Sequence, residues 1–220
     1  MKSILFDFGG TLDGDGVAWL DRFYPLYKEA GVSVSQENFN RAFYDSDDLL
    51  AARFPLKGQS LERTLSWQVR CVLEALAPDK AWVGEQVVER FLEDCRRHFR
   101  RNRPILERLR RRYRLGVVSN FYGNLESVLA SEGLSGLFEA VADSGSLGVS
   151  KPSAEIFLHA LSRLEASPQE ALMVGDSIPR DMKGAEALAM PHALLGHPEA
   201  RCCPGAWALK SLPDLEALCS

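Results

Sequence analysis

Ser3-Ile4-Leu5-Phe6-Asp7-Phe8-Gly9-Gly10-Thr11-Leu12 is the stretch on which the fold turns. An apolar run over 2–7 stops on a carboxylate, and Gly9, Gly10, Gly14 and Gly16 then turn the chain into a loop. A buried strand that hands Asp7 to a loop is the simplest reading. The pattern recurs downstream. Leu115-Gly116-Val117-Val118-Ser119 is a second short apolar strand, followed by a helix-like stretch from Asn124 to Ser131. A third strand is expected over 137–142. Ser167-Pro168-Gln169-Glu170 forms a capping box with proline at the first helical position, and turns into the strand Ala171-Leu172-Met173-Val174. Asp181 to Ala189 is helical in pattern, and His192 to Leu195 is a last strand. Strands separated by single helices imply an α/β protein, a doubly wound parallel Rossmann-like sheet covered on both faces.

Between the first strand and the second, residues from about 17 to 99 are helical in pattern. Ser60 caps a helix whose apolar face is Leu61, Leu65, Val69, Val72, Leu73 and Leu76, near the 3.6-residue period. Gly31, Pro55, Gly58 and Pro78 divide the block into four helices. It therefore reads as an all-helical insertion: 1–15 and 100–220 form the sheet core, and 16–99 the helical domain. Trp67 and Trp82 are expected to pack its interior or its hinge face.

Composition narrows the partners. The chain has 220 residues, 46% hydrophobic and 25% charged, which excludes a disordered segment, a fibre and a disulfide scaffold. A net charge of −4 gives no global field toward nucleic acid. No apolar run approaches the roughly 18 residues of a membrane span, and the first residues, with Asp7 arriving at once, do not resemble a signal peptide. Cys71, Cys95, Cys202, Cys203 and Cys219 form neither a CxxC pair nor an even framework, so a cytoplasmic location is expected. Ten arginines lie between Arg96 and Arg114. Without interleaved aromatics they read as a solvated helix face paired with Glu93, Asp94 and Glu107. His98, His159, His192 and His197 show no ligand spacing.

Ligands of a parallel sheet bind beyond the carboxyl ends of its strands. The residues there are Asp7, then Ser119 and Asn120, then Asp176, joined by Lys151 from a Gly148-Val149-Ser150-Lys151-Pro152 loop. Acid, hydroxyl, lysine and acid suit a phosphate handled with a divalent cation. A carboxylate can attack phosphorus, a hard oxygen-ligated cation relieves its repulsion from an anionic substrate, and a lysine and a hydroxyl hold the phosphoryl oxygens.

On these residues the chain resembles the haloacid dehalogenase superfamily of hydrolases, in its helical-cap subclass. Asp7-Phe8-Gly9-Gly10-Thr11-Leu12 is similar to the first motif, Asp-x-Asp-Gly-Thr-Leu; Val117-Val118-Ser119-Asn120 to the second; Lys151-Pro152 to the third. Val174-Gly175-Asp176-Ser177, with Asp181 and Gly184-Ala185, is similar to the fourth. The resemblance implies that Asp7 is the nucleophile of an aspartyl-phosphate. It implies that Gly10, Thr11, Ser119, Asn120 and Lys151 bind the phosphoryl group. Mg²⁺ would be held by Asp7, the carbonyl of Gly9 and Asp176, with Asp181 supporting the metal or Lys151. The helical block would be the cap that closes over a small phosphorylated metabolite.

One position departs from the pattern. Phosphatases of the family carry a second aspartate where Gly9 stands, an acid–base group of a kind worth about 10²–10⁴ in rate. Asp13 and Asp15 are the nearby carboxylates that could compensate. The departure keeps two other readings open: a haloacid dehalogenase or phosphonate hydrolase, and a catalytically weak binding or regulatory protein. Dehalogenases lack the metal-binding acid that this chain has as Asp176. The phosphonate enzyme needs a cap lysine, for which Lys28, Lys57 and Lys80 stand at no supporting spacing.

Overall fold

A computed structural model describes residues 1–196 and 206–219; His197, Cys202 and Cys203 lie outside the described residues. Five strands follow from the apolar runs: β1 (Ser3–Phe6), β2 (Arg114–Ser119), β3 (Ala140–Asp143), β4 (Ala171–Gly175) and β5 (His192–Leu195). A sixth, β6 (Trp207–Leu209), completes the sheet. The order is β3-β2-β1-β4-β5-β6, and every pairing is parallel. Phe6 is level with Val117 on one side and Val174 on the other.

Period-2 alternation sorts side chains to the two faces. Ile4, Phe6, Val117, Leu172 and Val174 join one core cluster; Leu5, Val118 and Met173 join another. Both faces are therefore buried, which is why the strands read as unbroken apolar runs.

The block between β1 and β2 holds four α-helices: α1 (Trp19–Glu29), α2 (Gln36–Arg53), α3 (Leu61–Leu76) and α4 (Gly84–Leu109). Ser60 accepts a hydrogen bond from the Arg63 N–H at the start of α3, as its sequence implies. At 26 residues, α4 runs without a break through position 99. At its start Gly84 lies against Leu73 and Val69 of α3, and its later residues reach the loop after β1. Phe99 stacks on Phe8 with centroids 5.9 Å apart, and Asn102 Nδ2 donates to the Leu12 carbonyl at 2.9 Å. Two of the arginines here pair with the expected acids, Arg97 with Asp94 and Arg103 with Glu107, while Glu93 is exposed. Arg96 and Arg108 reach Glu132 and Glu216. The remaining helices are α5 (Leu125–Ser131), α6 (Ser144–Leu147), α7 (Ala154–Arg163), α8 (Lys183–Ala187) and α9 (Asp214–Leu218).

Several sequence expectations shift. The third strand starts at Ala140 because Ser135–Leu137 forms a 3₁₀ turn. Asp181 lies in a separate turn, Ile178–Met182, before α8. Trp82 packs neither interior nor hinge: it is 75% exposed, in the 3₁₀ turn Pro78–Val83. Trp67 does pack, stacked on Phe54 at 5.0 Å. No helix among the described residues is long and apolar enough to cross a membrane.

Candidate active site

The winding of the sheet reverses at β1: β2 and β3 lie on one side, β4 to β6 on the other. A crevice opens beyond the strand ends at such a switch point. Asp7 follows β1, and its N–H extends the ladder to the Val174 carbonyl at 2.9 Å. Asp176 follows β4, the adjacent strand, and Ser119 ends β2.

The side chains converge. Ser119 Oγ donates to Asp7 Oδ1 at 2.7 Å. Lys151 Nζ lies 2.7 Å from Asp7 Oδ1 and 2.6 Å from Asp181 Oδ1. Thr11 Oγ1 donates to Asp176 Oδ1 at 2.9 Å, and Asp181 Oδ2 accepts the Ser177 N–H. Asn120 clamps the Lys151 backbone at both ends, accepting its N–H at 2.8 Å and donating to its carbonyl at 3.1 Å. Gly10 has φ +90°, and a Cβ there would meet Asp176 Oδ2 at 2.6 Å, so backbone conformation and space both require glycine.

Position 9 has a different explanation. Gly9 has ordinary angles, φ −75° and ψ 120°, so the backbone does not require glycine. A Cβ there would meet the indole of Trp19 at 3.2 Å from Nε1. Trp19 Nε1 donates to Asp13 Oδ2 at 2.7 Å. The volume beside Gly9 is thus held by an indole at the start of α1.

Asp13 itself is fully buried. It accepts the Gly10 N–H at 2.6 Å and pairs with Arg22 at 3.1 Å. Asp15 accepts the Leu212 N–H and pairs with Arg101. Both carboxylates are engaged by these partners, and neither lines the cavity above Asp7.

Three carboxylates share this buried space with one ammonium. One oxygen from each of Asp7, Asp176 and Asp181 lies within 4.8 Å of the others. Burial, with Asp7 and Asp181 beside it, pushes Asp176 up to about 8. Burial also raises Asp181, against the pull of Lys151. For Lys151, burial alone would lower the value, but Asp181 and Asp7 overturn it and hold the ammonium above its ordinary range. An all-oxygen set short of positive charge fits a hard divalent cation such as Mg²⁺.

Above these groups lies a cavity of about 100 Å³. Asp7, Ser119 and Lys151 line its floor, and Trp19, Tyr44 and Asp47 come from α1 and α2. Arg180 and Tyr122 also reach it. A larger cleft of about 790 Å³ between α3 and α4 shares no lining residue with it. Trp19, Asp47, Tyr122 and Arg180 lie in no motif. A signal for Asp47 was nevertheless present: on α2 it falls among the inward positions Phe43, Ser46 and Leu50, where a carboxylate is unexpected unless it serves a site.

Fold and site together define a Rossmann-like α/β protein whose reactive groups gather at the carboxyl edge of the sheet. The family model for haloacid dehalogenase-like hydrolases matches residues 1–188, and the chain belongs to that family of hydrolases. It is 32% identical over 199 residues to a phosphoserine phosphatase of Thermus thermophilus, covering 84% of this chain and 77% of that one. To a glyceraldehyde 3-phosphate phosphatase of Methanothermobacter thermautotrophicus it is 28% identical over 200 residues, 89% and 85% of the two chains. The crystal structure of a haloacid dehalogenase-family phosphatase from Thermococcus onnurineus shares the fold, with a TM-score of 0.57 at 24% identity over 100% of this chain and 98% of that one. The chain spans only 36% of the bovine and 53% of the mouse haloacid dehalogenase-like hydrolase domain-containing protein 3.

Proposed function

We propose that the chain is a Mg²⁺-dependent phosphatase of small phosphorylated metabolites, acting through an aspartyl-phosphate on Asp7. The observation that carries this reading is the placing of Asp7 between the Ser119 hydroxyl and the Lys151 ammonium, with Asp176 and Asp181 close by. Asp7 attacks phosphorus in line, and the P–O bond to the leaving group breaks. Lys151, Ser119 and Thr11 hold the phosphoryl oxygens, with Gly10 and Asn120 shaping the loop and the lysine around them. Asp7, the Gly9 carbonyl, Asp176 and Asp181 would hold Mg²⁺, which when bound supplies positive charge at the phosphoryl oxygens. Residues 1–15 and 100–220 serve as the catalytic core, and 16–99 as the cap that excludes water and selects the substrate.

Two relatives with phosphatase names support the choice over dehalogenation. So does Asp176, since halide displacement needs no metal. A cytoplasmic location suits the free, buried thiols of Cys71, Cys95 and Cys219. The test is phosphate release over a panel of phosphate esters and acyl phosphates, with and without Mg²⁺, run beside chloride release from a 2-haloacid. Mg²⁺-dependent phosphate release is expected. Metal-independent chloride release, or no phosphate from any member of the panel, would overturn the reading.

A further inference from the structure

We propose that Asp47, presented by α2 and hydrogen-bonded to Tyr122, is the general acid–base that position 9 lacks. The inference rests on the phosphatase reading above and assigns its proton transfers. Asp7 and Asp47 are the two carboxylates lining the cavity, and they come from opposite sides: Asp7 from the end of β1, Asp47 from the helical block. In-line displacement sends the leaving oxygen away from the nucleophile, and so toward the side from which Asp47 enters.

The carboxylate is held, not loose. Tyr122 donates its hydroxyl to Asp47 Oδ1, and Gln68 Nε2 donates to the same oxygen at 3.2 Å. Both bonds fall on Oδ1, which leaves Oδ2 for a ligand. Holding one oxygen from two directions fixes the plane of the group, as proton transfer requires.

Its surroundings suit the role. Burial raises its pKa, and Asp48 on the same helix acts in the same direction. The Tyr122 hydrogen bond and Arg180, both from the sheet side, oppose them without cancelling them. Gln68 of α3 is uncharged. A carboxyl raised from its ordinary range carries a larger protonated fraction near neutral pH, as a general acid must.

The proton balance closes over one cycle. In the first half, Asp7 bonds to phosphorus, the P–O bond to the leaving group breaks, and the departing oxygen takes the proton of Asp47. That yields the alcohol, the aspartyl-phosphate and the Asp47 carboxylate. In the second half a water oxygen bonds to phosphorus while Asp47 takes its proton. The P–O bond to Asp7 breaks, releasing inorganic phosphate and restoring both groups. At the site of the family's second aspartate a Cβ would crowd the Trp19 indole at 3.2 Å, and this function moves from the sheet loop to the cap.

The experiment pairs Asp47→Asn with Tyr122→Phe, using an alkyl phosphate and an aryl phosphate with an acidic phenol as probes. Asn keeps the shape and the Oδ1 acceptor but cannot shuttle a proton. With the alkyl phosphate, kcat/KM should fall about 10²–10⁴-fold. With the aryl phosphate, release of the first equivalent of phenol should stay fast and steady turnover slow, because the leaving group needs no acid but the water still needs a base. Tyr122→Phe removes a bond that stabilises the Asp47 carboxylate, so the basic limb of the kcat/KM profile should move to higher pH. Equal losses on both probes, a rise in KM alone, or no loss in Asp47→Asn would overturn the proposal; so would an unmoved basic limb in Tyr122→Phe should Asp47→Asn fail to fold. Wild-type protein that releases no phosphate from either probe or from the panel would instead refute the phosphatase reading itself.

Discussion

Replacing Asp13 by asparagine separates a structural carboxylate from a catalytic one. Asp13 is fully buried and takes the Gly10 N–H at 2.6 Å, the Trp19 indole N–H at 2.7 Å and the Arg22 guanidinium at 3.1 Å. The single oxygen of asparagine can keep either the Gly10 bond or the Trp19 and Arg22 contacts, which share Oδ2, and its Nδ2 then faces whatever donors remain. Arg22, 8% exposed, loses one of its two anionic partners and keeps Asp94 at 2.8 Å. Breaking a buried pair from one side costs about 3–5 kcal/mol. The surviving Asp94 bond places this case at the low end, about 3 kcal/mol. For a chain of this size each kcal/mol lowers Tm by about 2–4 °C, so a drop of about 6–12 °C is expected. Urea unfolding and a thermal melt, each followed by far-ultraviolet circular dichroism, measure it. A variant that melts within about 2 °C of the parent while losing activity would refute this account and return Asp13 to the list of proton carriers.

Two further perturbations test the neighbouring positions. Gly9→Asp brings a Cβ to 3.2 Å from Trp19 Nε1, so the indole, held by its bond to Asp13, must shift by a few tenths of an ångström; overpacking of this kind costs about 1–3 kcal/mol, and an unchanged urea midpoint would show that the indole yields freely. In chelator, the native state holds a proton on Asp176 up to about pH 8 that the unfolded chain, with an aspartate value of about 3.9, has already released. Stability from this group is therefore present in full below about pH 4 and lost progressively toward pH 8; urea midpoints across that range should fall, should recover with Mg²⁺ at the alkaline end, and should flatten in Asp176→Asn.

What could be read from the sequence follows from how locally each feature is encoded. β1, β2, β4 and β5 announce themselves because a strand buried on both faces needs an unbroken apolar run, and the acids, hydroxyl and lysine follow these strands or their loops. α7 is only ten residues long and gives a weak signal, although its apolar positions Ile156, Phe157, Ala160 and Leu161 have helical spacing. β6 is three residues, Trp207–Leu209, with two of them exposed, too little for a pattern to register. Trp82 departs from the burial its aromatic character implies, because a short 3₁₀ turn carries it outward. Asp47 lies beside the acids Asp45 and Asp48; its spacing from Phe43 and Leu50 puts it on the inward face, but the cavity it lines exists only once α2 is packed.

The unbroken course of α4 acts as a gear between the two parts of the molecule. A helix of 26 residues is about 39 Å long, and each residue advances it by 1.5 Å and turns it by about 100°. Phe99 and Asn102 fix its phase against Phe8 and Leu12 of the sheet loop, while Phe91 fixes it against Phe23 of α1. Adding or deleting one residue between 92 and 98 would swing the earlier turns, with α1 and α3 packed on them, by more than a quarter of a circle relative to the strand ends. The helical block should therefore tolerate insertions in the loops that join α1, α2, α3 and α4 rather than within α4, and the surface offered to a ligand can change by substitution along α2 without disturbing the register that aims it at Asp7.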